Sequence, residues 1–217
     1  MQFTAGRVVE LALLSVKEGM GPQFQTEYFP QASQIAQEYG GQLLAVFEVT
    51  DVPYGWKRPQ TAVLFEWASM ERKRAFARDP RFLQIQGLRD NALEYLAQGY
   101  FTVEENRTLS LVRDGEGTYE LILFWMDPDH ADDLNTYFSR VGPVAAQPEY
   151  GGFEMVQSFT PLRVNDGTVH PDMFALGRWN SLQGSRAFFE LPIYQENVHL
   201  REAAAPYKDV LQVRFVP

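Results

Sequence analysis

The chain has 217 residues, a net charge of −9 and no cysteine. That length admits one large domain or two of about 100 residues. The acidic balance, without any Lys/Arg run, argues against a nucleic-acid partner, which needs a basic face, and the missing cysteines remove disulfides, zinc–thiolate sites and a thiol nucleophile together.

Val8 to Val16 is aliphatic and β-branched with Glu10 its only charge, and predicts a strand. Glu10 also interrupts the early apolar run, so residues 1–16 do not read as a cleaved leader. No stretch reaches the ~18–20 apolar residues of a membrane span. With the absence of cysteine, this gives the expectation of a cytoplasmic protein.

Lys17-Glu18-Gly19 turns the chain into a helix expected over about 22–38, opened by Pro22, kinked at Pro30 and stopped by Gly40-Gly41. Leu43 to Thr50 predicts a strand, 51–60 a loop, and Thr61 to Trp67 another strand. Ser69 is placed to cap a helix from Met70. Asp79-Pro80 breaks that helix, which is expected to resume over 81–97 before a strand over 100–104. The resulting order is βαββαβ, the ferredoxin-like arrangement.

The order then repeats. A strand is expected over 119–126, a helix from Asp127-Pro128 to about Ala146, and strands over 152–164 and 173–179. A broken helix over 182–205 and a last strand over 209–216 follow. Between the copies, 108–118 reads as an extra hairpin arm, with Asp114 to Gly117 as its turn.

The repetition is visible residue by residue. Leu64, Trp67, Ser69, Arg74, Phe76, Pro80, Leu88 and Arg89 are matched by Leu176, Trp179, Ser181, Arg186, Phe188, Pro192, Leu200 and Arg201, each 112 positions later. Tyr39-Gly40-Gly41 is matched by Tyr150-Gly151-Gly152. A period of half the chain signals duplication into units of 1–106 and 107–217, not a solenoid of short repeats. Strands such as Leu11 to Leu14, Leu43 to Phe47 and Leu121 to Trp125 are apolar on both faces, which requires burial on both. Two sheets packed face to face satisfy this. The expected fold is α+β: two tandem ferredoxin-like repeats forming a single-chain, eight-stranded barrel with helices outside, an internal pseudo-dimer that leaves further homo-oligomerisation open.

The segments Val16 to Gly19, Tyr39 to Gly41, Leu64 to Met70, Ala75-Phe76 and Leu88-Arg89 resemble the dimeric α+β barrel superfamily. It includes the antibiotic-biosynthesis monooxygenases, the NIPSNAP proteins and an uncharacterised bacterial family, the last being the closest match. The likeness covers 8–104 well and 119–216 more weakly. It implies the barrel and a cofactor-independent, monooxygenase-like enzyme acting on a small hydrophobic or aromatic substrate. The alternative is a non-catalytic ligand-binding or structural accessory protein whose pockets its own side chains fill.

In cofactor-free oxygenase relatives a tryptophan at the position of Trp67 and Trp179 lines the pocket. Core packing is the plainer reading and the favoured one, because both copies keep it. Arg89 and Arg201, on helices with apolar neighbours, are candidates to orient an anionic or enolic oxygen. The competing and favoured reading is an ion pair to a strand carboxylate such as Glu10, Glu48 or Glu120. Glu66 and Arg178 occupy matched positions with opposite charge, and are expected to pair near the pseudo-two-fold axis or to polarise a ligand, the plainer alternative being that both point to solvent at the strand end. For a general base the candidates are His199 or a strand glutamate whose pKa burial raises, although a surface place for His199 weighs more. A haem-degrading relative would want an axial histidine on the helix after the Trp-x-Ser strand end, and the first copy has no histidine at all. No metal-ligand spacing is present. Asp127, Asp129, Asp132 and Asp133 read as helix-dipole acids rather than a cation site.

Overall fold

The computed structural model describes residues 1–111 and 117–216. Strand β1 (Gln2–Phe3) leads to β2 (Val8–Val16). A helical stretch follows: α1 (Gly21–Gln23), a π-helical turn over Phe24–Tyr28, and α2 (Phe29–Glu38). The wide turn lies just before Pro30, which has no N–H to donate into a regular α-helical ladder, and the helix widens there.

Strands β3 (Gln42–Tyr54) and β4 (Thr61–Trp67) come next. Helix α3 (Met70–Ala77) is capped by the Ser69 hydroxyl, which accepts from the Arg72 N–H at 3.2 Å. Helix α4 (Pro80–Ala92) is capped by Asp79. Then come β5 (Leu93–Thr102) and β6 (Arg107–Thr108), the latter paired with β1.

The second half runs β7 (Thr118–Trp125), α5 (Ala131–Ala145), β8 (Glu154–Pro161), β9 (Met173–Trp179), α6 (Leu182–Phe189), α7 (Pro192–Ala204) and β10 (Tyr207–Val216).

All pairings among the eight long strands are antiparallel, in the order β10–β3–β4–β2–β5–β8–β9–β7, and β7 returns to β10 to close a barrel. The two seams between the halves are unequal. β10 lies along β3 from Val210↔Tyr54 to Val216↔Val46, whereas β5 meets β8 only at Phe101↔Pro161 and Thr102↔Thr160.

Strand alternation sorts side chains into an interior core and two outer cores under the helices. Val9, Leu11 and Leu13 point inward with Leu64, Leu121, Phe174 and Leu211. Phe159 and Phe174 stack inside at 4.4 Å between ring centroids. Val8 joins Trp67, Phe76 and Phe82 beneath the first pair of helices, and Ile122 joins Trp179, Phe188 and Tyr194 beneath the second. Each fully buried Leu or Phe contributes roughly 1.5–3 kcal/mol.

Three expectations change. The helix expected over 81–97 ends at Ala92, because residues 93–99 pair with β2 and place Ala97 in the interior core. The loop expected over 51–60 is strand as far as Tyr54, where β3 follows β10 through two irregularities that accommodate Pro53. The strand expected over 152–164 is shorter, Glu154–Pro161. The hairpin arm expected over 108–118 includes residues 112–116, which lie outside the described residues; Arg107–Thr108, at its start, pairs with β1.

Candidate functional site

Each half holds a cavity between its outer sheet face and its helices, about 500 Å³ in the first and about 310 Å³ in the second. Each has a carboxylate on its sheet wall at the same ladder position. Glu10 lies opposite Phe65 and Tyr100, and Glu120 lies opposite Gly177 and Gln212, the partners 112 positions on. Each also has the matched tryptophan and arginine: Trp67 and Arg89 in the first, Trp179 and Arg201 in the second.

The repeated glycines make room for the tryptophans. A Cβ on Gly41 would come within 2.8 Å of the Trp67 ring, and one on Gly151, which has φ +107°, within 2.8 Å of the Trp179 ring.

The two carboxylates differ. Glu10 has both oxygens occupied: Trp67 Nε1 donates to Oε2 at 2.7 Å, and Gln98 Nε2 donates to Oε1. Glu120 is 4% exposed and its Oε1 has no hydrogen-bond partner among the described residues. Trp179 and Gln212 face it, yet Trp179 Nε1 also lacks a partner of good geometry. Burial raises the Glu120 pKa, and Trp179, Gln212 and Arg201 only partly offset this.

Arg201 is 5% exposed. Its guanidinium lies 4.8, 5.8 and 5.5 Å from the ring centroids of Tyr54, Tyr137 and Tyr194, and pairs with Glu202 at 2.7 Å. The Tyr54 and Tyr194 hydroxyls are 3.1 Å apart. Burial alone would raise the Tyr54 pKa, but the Tyr194 hydrogen bond and Arg201 outweigh it and bring that phenol below its ordinary value. Tyr194 moves up, chiefly through burial. In the first cavity, Arg89 pairs with Asp90 at 2.7 Å, and burial, partly offset by Arg89, pushes the Tyr28 phenol up to about 12.

The structure therefore brings Trp67 with Arg89, and Trp179 with Arg201, into cavities that also hold a strand glutamate. Both tryptophans pack in the core and line a cavity at once. The arginines pair with the next residue on their own helix, Asp90 or Glu202, not with a strand carboxylate.

Glu66 and Arg178 do not pair. Glu66 is buried against Arg7 at 2.8 Å and accepts the Thr4 N–H, and neither residue lines either cavity. The N-terminal segment folds over Glu66 and takes the place expected for Arg178. His199 sits on the exposed face of α7, and His130 and His170 are exposed as well, so no histidine lines either cavity.

The acids at 127–133 serve local structure: Asp127 accepts from the Asp129 N–H, and Asp133 holds the His130 ring. Among the described residues no group of three or more His, Cys, Asp or Glu is placed to hold a metal ion. Open volumes of this size favour ligand binding over pockets filled by the protein's own side chains.

Sequence reasoning missed Tyr54, which reaches the second cavity from a strand of the first half because β3 pairs with β10. It named Glu10 and Glu120 only as ion-pair partners or as a generic buried base. Their signal was present: each is the sole charge in an otherwise apolar strand.

Residues 12–98 match the model of a domain of unknown function, DUF1330. No curated protein is significantly similar in sequence. Among solved structures, the chain is similar to an anthrone oxidase-like protein at 16% identity and a TM-score of 0.61, covering 100% of this chain and 95% of that one. It is similar to a candidate monooxygenase from Fusobacterium nucleatum at 7% identity and a TM-score of 0.56, covering 99% and 94%. A chlorite dismutase variant from Candidatus Nitrospira defluvii aligns at 10% identity and a TM-score of 0.58, covering 98% and 92%. At such identities the likeness is one of fold, a mixed α+β architecture.

Proposed function

We propose that the protein is a cofactor-independent enzyme that binds a small hydrophobic or aromatic molecule in the second cavity and exchanges a proton with it through Glu120. The observation that carries this reading is a buried carboxyl whose Oε1 makes no hydrogen bond of good geometry among the described residues, on the wall of an apolar cavity beside a guanidinium. A desolvated carboxylate is a stronger base than a solvated one and retains the proton it takes. Arg201 stabilises the enolate or phenolate left behind. Phe153, Phe188 and Trp179 supply the apolar walls. In an oxygenase of this design, the deprotonated substrate itself reduces dioxygen. A ring CH₂ becomes a carbonyl, one oxygen atom entering the product and the other leaving as water.

The matched ladder positions of Glu10 and Glu120, the common element order and the 112-residue spacing support a tandem pair of ferredoxin-like units. After duplication, one unit kept an open carboxyl and the other bound its own. The experiment measures oxygen uptake and product formation with anthrone and related hydroxyaromatic ketones. Turnover lost in Glu120→Gln and in Gly142→Phe, and kept in Glu10→Gln, supports the reading. Turnover that survives Glu120→Gln, or none with any member of the panel, removes it. Gly142 suits the blocking variant because it lines this cavity and a Cβ there meets nothing within 4 Å.

A further inference from the structure

The first cavity is the larger, and its polar groups differ in kind from those of the second. Both Glu10 oxygens are engaged by Trp67 and Gln98, so that carboxylate offers an incoming ligand nothing. The other lining carboxylate, Glu48, is paired with Arg214 near the surface. The remaining charged lining groups are cations. Lys73 is half-buried, makes no ion pair among the described residues, and holds its ammonium 4.7 Å from the Tyr100 ring centroid. Arg89 is ion-paired with Asp90, whose side chain is 54% exposed and lies outside the cavity lining. Tyr28 adds a phenol that stays protonated through the physiological range and serves as a donor. Phe24, Phe29, Phe65, Phe76 and Phe82 form the apolar wall.

We infer that the first cavity is a second ligand site, distinct from the one assigned to Glu120, and that it takes a hydrophobic carboxylic acid. The apolar body lies among the phenylalanines, and the carboxylate is held by Lys73 and Arg89. Lys73, without an ion pair among the described residues, and Arg89, whose acid partner is largely solvated, lie over an apolar volume of about 500 Å³ and match an amphiphilic anion in both charge and size. A neutral or cationic amphiphile of the same length would leave the ammonium of Lys73 desolvated without a partner.

The test is calorimetric titration of the full chain with decanoate, decanol and decylamine. Decanoate should bind more tightly than the other two by about tenfold or more. Lys73→Met, which keeps the apolar stem, should weaken decanoate by about tenfold and leave decanol within about twofold. Ser33→Phe, which fills the first cavity from α2, should abolish decanoate binding, while Gly142→Phe, in the second cavity, should not change it. Equal affinity for the three amphiphiles, insensitivity to Lys73→Met, or loss in Gly142→Phe but not in Ser33→Phe would each overturn the inference. These outcomes are independent of turnover at Glu120, so either proposal can fail alone.

Discussion

Trp67 donates its indole N–H to Glu10 at 2.7 Å across two neighbouring strands, whereas the matched Trp179 faces Glu120 without a hydrogen bond of good geometry among the described residues. The two indoles otherwise share a setting: both are 3% exposed and both pack on a helix phenylalanine, Phe76 or Phe188. Replacing each by phenylalanine removes similar ring volume, so the difference between the two losses isolates the hydrogen bond. Trp67→Phe should cost about 1–3 kcal/mol more than Trp179→Phe, since it leaves a buried carboxylate oxygen unpaired. Urea denaturation of both variants measures this, and equal losses would show that the bond contributes nothing.

Glu120 makes stability depend on pH. Its pKa is higher folded than unfolded because burial penalises the charged form. Proton binding therefore favours the native state. That contribution is complete below the ordinary value of 4.5 and is lost as pH rises through the folded value. Glu120→Gln removes the titration while keeping shape and polarity. From pH 4.5 upward the variant should gain stability relative to the parent. Denaturation midpoints measured across that range check the sign, and a constant difference between the two proteins would rule out the linkage.

The fold was legible where local chemistry and tertiary pairing agree. Thr61–Trp67 and Met173–Trp179 were readable to the residue, because alternation, Ser caps and Asp-Pro or Leu-Pro breaks coincide there. The chain from Leu93 to Gly99 was not, because its Leu, Glu and Ala favour helix and only pairing with β2 makes it strand. The site was half legible. The 112-residue spacing exposes Trp67, Trp179, Arg89 and Arg201. No local pattern shows that Arg7 would claim Glu66, or that Tyr54 would cross a seam to reach Arg201, since both contacts depend on how distant strands close.

The glycine pairs should be intolerant of side chains. Gly151 combines φ +107° with a Cβ position 2.8 Å from Trp179 Cε3 and 2.9 Å from the Gly184 carbonyl carbon. Backbone that cannot move is the harder obstacle. Gly151→Ala should cost about 1–3 kcal/mol from backbone strain alone, with overpacking added. Gly142→Ala, on the open face of α5, should be neutral or stabilising by up to about 1 kcal/mol. Thermal unfolding of the two variants separates the cases, and a tolerated Gly151→Ala would refute the close-approach account.

Arg201 and Arg89 occupy matched positions but should not be equally costly to lose. The Arg201 side chain is 7% exposed and surrounded by three tyrosine rings, whereas that of Arg89 is 20% exposed and paired with a largely solvated Asp90. Exposed pairs contribute about 0–1 kcal/mol, so Arg89→Met should fall in that range. The Glu202 side chain is 43% exposed and keeps Lys208 as a second partner, so what Arg201→Met loses is chiefly the buried guanidinium's contacts with three tyrosine rings, about 0.5–2 kcal/mol each. The same substitution removes a cation that holds the Tyr54 phenol below its ordinary value. An ultraviolet titration of tyrosine ionisation should therefore show the Tyr54, Tyr137 and Tyr194 phenols moving to higher pH in Arg201→Met, and the Tyr28 phenol moving instead in Arg89→Met. Guanidinium denaturation gives the energies. Equal costs for the two variants, with no phenol displaced, would mean that the buried guanidinium is held by packing alone and does not tune the tyrosines around it.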